Sequence, residues 1–189
     1  FPHKMADFGE TFYQLLIEAQ KNDKLTIPVY QSVKIAVNGF RELEYDCFPI
    51  FDITVLSILR NTDNKQMISE FHNTLTCLLI NYGEQINREQ INPNLFKTIC
   101  QQLVNGLDIQ YTGYLMYELS TIPDIRLINP IFTCLIQFID LMGPNIQEFT
   151  EDIFNVVDHF LPKFDTENLI IPCKPICGYT IEVYAKLSS

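Results

Sequence analysis

The sequence has few of the residues from which phosphate-binding and zinc sites are built. Only 7 of its 189 residues are glycine, none is tryptophan, and its three histidines, His3, His72 and His159, share no local spacing. Glycine-rich loops hold phosphates with backbone N–H groups, and no phosphate-loop, Rossmann or nucleophile-elbow pattern occurs. A zinc site needs four ligands brought together, and a cysteine hydrolase needs a histidine within hydrogen-bond reach of its nucleophile. The sequence therefore predicts no metal, no cofactor and no enzymatic activity.

Positive charge is also scarce. Thirteen Lys and Arg residues stand against 23 Asp and Glu, which gives a formal net charge of −10. Surfaces that bind nucleic acid or anionic membranes need clustered Lys and Arg, so we expect neither as a partner. The longest apolar candidate, Ile131–Met142, is interrupted by Gln137 and Asp140 and is shorter than the roughly 18 residues that span a bilayer. A protein partner remains, and a basic one suits the charge.

The six cysteines fit reduced thiols better than a disulfide framework. Cys77, Cys100 and Cys134 lie on apolar stripes of predicted helices, where a thiol behaves as a small hydrophobe. Cys173 and Cys177 form a single C-x3-C pair, which is at most half of a zinc site. The alternative interpretations are two ordinary thiols or a disulfide that forms in oxidising buffer. No N-glycosylation acceptor or signal peptide is present, so the predicted location is intracellular, in cytoplasm or nucleus.

Apolar residues recur at helical spacing through most of the chain, and Pro, Gly and Asn-Asp signals separate the periodic segments. The acidic pair Glu151-Asp152 falls near a predicted helix start, where the helix dipole stabilises carboxylates. These patterns predict eight helices: Phe8–Lys21, Val29–Leu43, Phe51–Arg60, Lys65–Tyr82, Asn94–Leu107, Thr112–Ser120, Pro130–Leu141 and Ile146–Leu161.

The C-terminal residues show a different period. Thr180–Leu187 alternates polar and apolar side chains, which predicts a strand, and Leu169–Ile171 is its candidate hairpin partner. The predicted organisation is a cloning remnant at residues 1–4, a helical-repeat domain at 5–165 and a tail with a β-hairpin at 166–189. An ordered tail with no function of its own is the alternative interpretation.

The chain also resembles itself. Residues Leu75–Leu79 recur as Phe132–Ile136, an offset of 57 residues, and the apolar positions of the following helix keep this register. A fainter match relates Val37–Phe40 to Val104–Leu107 at an offset of 67. Repeated helical units predict an all-α fold of stacked antiparallel helix pairs. Chance similarity between two amphipathic helices is the alternative.

This pattern resembles the armadillo/HEAT-like superfamily of helical repeats, including compact scaffolds of the translation-factor middle-domain kind. The resemblance covers roughly residues 8–165. It implies an α-solenoid-like scaffold that holds a peptide or helix of a partner protein inside a larger intracellular assembly.

If the second helix of each repeat lines a common groove, its outward residues form a ladder. The offsets make Lys34, Gln101 and Asp158 equivalent to one another, and Asn38 equivalent to Asn105. Asparagine suits such a ladder because its amide both donates hydrogen bonds to a peptide backbone and accepts them from it. These five residues are the predicted partner-binding residues, and an ordinary solvated helix face is the alternative.

Two other functions remain open at this level. The tail strand Thr180–Leu187 could exchange between two copies and make the protein a homodimerising assembly module. The many Phe and Leu residues could instead line a cavity for a lipid or another small apolar ligand.

Overall fold

The structure is a computed structural model that describes residues 2–22, 26–41, 65–89, 93–116, 125–160 and 174–189. Helices account for nearly all of these residues, which contain no strand, so the predicted all-α class is confirmed. The α-helices are α1 (Pro2–Lys21), α2 (Ile27–Arg41), α3 (Lys65–Glu89), α4 (Pro93–Met116), α5 (Ile125–Met142), α6 (Thr150–Val157) and α7 (Lys174–Leu187). Two 3-10 segments, η1 (Gly143–Phe149) and η2 (Asp158–Phe160), flank α6.

Within the described residues, several helices are longer than predicted. The segment from α5 to η2 is helical without a break, so the described residues form six separate helical stretches. The predicted gap between residues 107 and 112 is helical within α4, because residues 108–111 include neither proline nor glycine to end the helix. Pro130, predicted as a start, lies inside α5. The predicted helix Phe51–Arg60 lies outside the described residues, and the solenoid-like stacking of eight helices is not supported.

The predicted C-terminal strand is wrong, because Thr180–Leu187 belongs to α7. Thr180 and Val183 are fully buried three residues apart, whereas Ile181 is 64% exposed. The buried positions thus follow the period of a helix, and tertiary packing outweighs the strand preference that the alternating sequence indicates. The proposed hairpin partner, Leu169–Ile171, lies outside the described residues. A homodimer formed by exchange of this strand is therefore not supported, because residues 180–187 are helical.

The chain divides into two compact units, Phe1–Leu95 and Phe96–Ser189. In the first, α2 packs against α3. Tyr30 of α2 meets Phe71 of α3 edge to face, with ring centroids 6.2 Å apart. Val37 and Leu75 are completely buried in this unit. The predicted boundary at residue 165 lies outside the described residues and stays a prediction.

The second unit is built around α5. Phe132, Leu135 and Phe138 on this helix are fully buried, and complete burial of each such side chain contributes about 1.5–3 kcal/mol. The helix α7 packs on α5, where Tyr179 stacks on Phe132 at a centroid distance of 5.8 Å. The position of α7 therefore depends on the apolar face of α5.

In the part of the chain that the structure describes, one helical segment, Arg126–Phe160, is long and apolar enough to cross a membrane. More than half of its most apolar window, 56%, is buried inside the structure. A core helix passes the same test of length and composition, and the burial is that of a core helix. The absence of a membrane partner stays a prediction.

Two glycines allow the helical assignment of the C-terminal residues to be tested. Gly178 lies inside α7, Gly143 has a positive φ of 50° at the end of α5, and a Cβ added at either position meets no atom within 4 Å. We expect Gly178→Ala to raise the free energy of unfolding by about 0.5–1 kcal/mol through helix propensity. Gly143→Ala should lower it by about 1–2 kcal/mol, because an L side chain disfavours this backbone conformation.

Urea unfolding followed by circular dichroism measures both changes. The two substitutions add the same methyl group to open space, so Gly143→Ala is the matched control for Gly178→Ala. A loss of stability in Gly178→Ala would contradict the helical assignment of residues 174–187.

Candidate functional site

A surface cavity of about 400 Å³ lies in the second unit, and we call it the α4–α6 cavity. One wall is α4, and the other is formed by η1 and the first turn of α6. Its lining residues are Lys97, Cys100, Gln101, Val104, Asn105, Glu148, Phe149 and Asp152.

The helical period of α4 produces the first wall. Ile99, Leu103 and Leu107 are completely buried and fix one face of α4 in the core. Lys97, Gln101 and Asn105 follow one another at intervals of four residues, so they form one exposed stripe on the side of this helix. Their charged and amide groups therefore line the cavity mouth.

The cavity floor is apolar. Cys100 is 2% exposed and Phe149 is 6% exposed, and the partly buried Val104 also lines the cavity. Phe149 is fixed by an edge-to-face contact with Phe138 of α5, with ring centroids 5.7 Å apart. An aromatic ring and small apolar groups thus lie beneath a rim of charged and amide side chains, so the lining is more polar than that of a typical small-molecule pocket.

Two carboxylates on the second wall have no ion-pair partner among the described residues. Glu148 and Asp152 are exposed, and the structure records no ion pair or hydrogen bond to either within the described ranges. Asp152 lies in the first turn of α6, as predicted, but the N-cap residue Phe149 makes no side-chain cap bond. Because η1 runs directly into α6, this turn is not a free helix end that needs capping.

The negative charge of Asp152 also affects the pKa of the Cys100 thiol. Burial, and secondarily the Asp152 charge, raise the pKa of Cys100 to about 12. The thiol is therefore protonated at neutral pH and is a poor nucleophile or metal ligand. Among the described residues, no group of three His, Cys, Asp or Glu side chains could hold a metal ion.

The five predicted partner-binding residues have different environments. Gln101 and Asn105 lie together at the cavity rim, where neither side chain has a recorded hydrogen bond within the described part of the chain. Asp158, in η2, accepts a hydrogen bond from the Tyr184 hydroxyl of α7 and does not line this cavity.

Lys34 and Asn38 lie in the first unit, where they connect α2 to α3. Lys34 forms an ion pair with Glu70. Asn38 Oδ1 accepts hydrogen bonds from Asn81 Nδ2 at 3.3 Å and from Cys77 Sγ at 3.7 Å. Both predicted residues therefore contribute to helix packing as well as to the surface.

The sequence did not point to the residues that face Gln101 and Asn105. The spacing of Lys97 could have been recognised, because it extends the stripe by one turn. Glu148, Phe149 and Asp152 come from a segment more than 40 residues away, and only the tertiary packing brings them to α4.

A second surface cavity, of about 480 Å³, lies beside the end of α7. Its charged groups are already paired, since Lys186 Nζ is 2.5 Å from Asp140 Oδ1. The hydrogen bond with Asp140 raises the pKa of Lys186 further, so this pair persists at neutral pH. The α4–α6 cavity, with its unpaired carboxylates, is therefore the better candidate for a binding site.

No family model matches the chain, and no curated protein or solved structure matches it either.

Thiol reactivity tests the electrostatics of the cavity floor. Burial raises the pKa of both Cys77 and Cys100, but a hydrogen bond from Asn81 and the charge of Lys34 partly offset the rise at Cys77. We expect iodoacetamide at pH 8.5 to alkylate Cys77 at least about tenfold faster than Cys100, measured by peptide mass spectrometry. Asp152→Asn should speed the reaction at Cys100, and Glu151→Gln, which changes the neighbouring exposed carboxylate, should not.

The same pKa shift makes stability depend on pH. The unfolded chain releases the Cys100 proton near pH 9, whereas the folded chain retains it to about pH 12. Stability from this group is therefore complete below pH 9 and falls as the pH rises above it. Equal reactivity of Cys77 and Cys100 in the folded protein would contradict this description.

The hydrogen bond from Tyr184 to Asp158 tests whether Asp158 holds α7 in place. Tyr184→Phe removes the hydroxyl and keeps the ring that stacks on Phe154 at 5.0 Å. We expect a loss of about 0.5–1.5 kcal/mol in the free energy of unfolding. In an Asp158→Asn background the loss should shrink, and an unchanged loss in that double-mutant cycle would show that the two groups do not interact.

Proposed function

We propose that this protein is a non-enzymatic scaffold that binds a peptide or helix of a partner protein within a larger intracellular assembly. The observation that carries the proposal is the position of Gln101 and Asn105. Both were predicted to contact a partner, and both lie exposed on one cavity rim with no recorded hydrogen bond to the described residues. Their amide groups are available to a peptide backbone, which needs both donors and acceptors.

An armadillo/HEAT-like origin is part of the proposal. Positions related by the 57-residue offset are buried alike: Leu75 and Phe132, Leu78 and Leu135, and Ile99 and Val156. Equivalent helices would then turn equivalent faces inward, as the units of helical repeats do. This correspondence supports a repeated unit, and stacking of such units would produce a binding surface on the remaining faces.

The composition of the cavity favours a protein ligand over a lipid. Its rim is made of charged and amide side chains, whereas a lipid carrier needs an apolar enclosure for the acyl chain. The phenylalanines of the second unit pack on one another, as Phe138 does on Phe96 with centroids 6.5 Å apart. Direct nucleic acid binding is disfavoured by the net charge of −10.

Site-specific photo-crosslinking tests the scaffold proposal. A benzoylphenylalanine placed at Asn105 in the full chain should give a discrete protein adduct in extract of the source cells. The matched control is the same probe at Asn155, an exposed asparagine on α6 that does not line the cavity. The partner segment identified in the adduct should then bind the wild type, and a Gln101→Ala/Asn105→Ala variant at least about fivefold more weakly.

Identical adducts at positions 105 and 155, or none at 105, would overturn the proposed site. Circular dichroism and thermal unfolding of each variant establish that the fold is intact. Because Gln101 and Asn105 are exposed, their replacement by alanine leaves the buried face of α4 unchanged.

A further inference from the structure

We propose that the α4–α6 cavity receives the guanidinium group of an arginine side chain on the partner peptide. This inference rests on the scaffold function proposed above and specifies which chemistry the cavity selects. Four features of the cavity support it: unpaired carboxylates, amide acceptors, an aromatic floor and the absence of a metal-binding arrangement among the described residues.

The charge balance favours a cation. Glu148 and Asp152 supply two negative charges to the lining and Lys97 supplies one positive charge. No ion pair between Lys97 and either carboxylate is recorded within the described ranges, so the ammonium does not neutralise them by direct contact. The lining therefore carries a net charge of −1 at neutral pH, and the whole chain carries −10. A cationic ligand is attracted by both the local and the overall charge.

The hydrogen-bonding groups favour guanidinium over a simple ammonium ion. A guanidinium presents five N–H donors in a planar arrangement, and a carboxylate binds two of them side by side. The side-chain oxygens of Gln101 and Asn105, on the opposite wall, are acceptors for the donors that remain. A lysine ammonium has three donors and cannot satisfy two walls in the same planar geometry.

The apolar floor of the cavity suits the remaining parts of an arginine side chain. Phe149 provides an aromatic ring, over which a guanidinium plane is attracted, and Val104 provides an aliphatic contact for the methylene stem. The cavity volume of about 400 Å³ is at the small end of the range for ligand pockets, which fits one long side chain and a short piece of backbone.

A metal ion is a poorer occupant. The potential ligands in the lining are two carboxylates and the Cys100 thiol, and they do not form a group that could hold a metal ion. The thiol is also protonated at neutral pH, and because a metal must displace this proton, its affinity for soft metals is lowered. An organic cation that donates charge-assisted hydrogen bonds to the carboxylates needs no such ligand group.

Binding of three blocked tripeptides to the full chain tests the inference. The probes are acetyl-Gly-Arg-Gly-amide and its counterparts with lysine or citrulline, and the readout is the shift of the Gln101 and Asn105 side-chain amide signals in NMR titrations. Citrulline keeps the shape of arginine without its charge. We expect the arginine probe to bind at least about tenfold more tightly than citrulline, and about threefold more tightly than lysine.

Two variants with the same change in net charge separate the cavity from general attraction. Glu148→Gln/Asp152→Asn should weaken arginine binding at least about tenfold. Glu151→Gln/Glu182→Gln removes two exposed carboxylates that do not line the cavity, and should change binding less than about twofold. Lys97→Met should strengthen binding, because it removes the one cation of the lining.

The outcomes distinguish this inference from the function on which it rests. Equal binding of arginine and citrulline, or equal weakening in the two double variants, overturns the arginine site. A discrete adduct at position 105 together with that result would leave the scaffold function standing. Arginine-selective binding with no adduct at position 105 would overturn the protein partner and leave a site for a free guanidinium compound.

Discussion

The packing of the second unit depends on the contacts that the buried ring of Phe138 makes with its neighbours. This ring lies on α5 and is in contact with Phe96 of α4 and with Phe149 of η1. Because one side chain touches both neighbours, it fixes α4 and η1 relative to a common point. The two walls of the α4–α6 cavity belong to these two elements, so the width of the cavity is set by packing in the core beneath it. The proposed binding of a guanidinium group therefore depends on this core packing as well as on the groups that line the cavity.

The all-α class and the helix core positions could be predicted, because long amphipathic segments carry a strong periodic signal. Leu75, Leu78, Ile99 and Leu103 are all completely buried, as their spacing indicates. The ends of the helices were harder to predict from the sequence than their buried positions. The break expected near residue 110 rested on a weak local signal, and α4 continues through it. At Thr180–Leu187 a short alternating pattern fits either a strand or the exposed and buried sides of a helix, and packing against α5 selects the helix.

Only the α4 wall of the candidate site could be predicted from the sequence. An exposed stripe on a helix, such as Gln101 and Asn105, can be read from the period of that helix. What faces the stripe depends on contacts between distant segments, and no local pattern reports that Glu148 and Asp152 complete the cavity. The same limitation applies to Lys34, whose position on α2 suggested a free surface residue. Its partner Glu70 lies 36 residues further along the chain, on a helix that folds back against α2.

The burial of the apolar segment Arg126–Phe160 has a consequence for biosynthesis. The helix α7 covers part of α5, and its last residue is made 45 residues after the end of α5, from Met142 to Leu187. At typical translation speeds of about 5–20 residues per second this interval lasts about 2–9 seconds. During it, Phe132 on the nascent chain has no Tyr179 to stack on, and the face of α5 that α7 covers in the folded protein is not yet covered. A chain released before α7 is made therefore leaves this apolar face of α5 uncovered, and exposed apolar surface of this kind promotes aggregation.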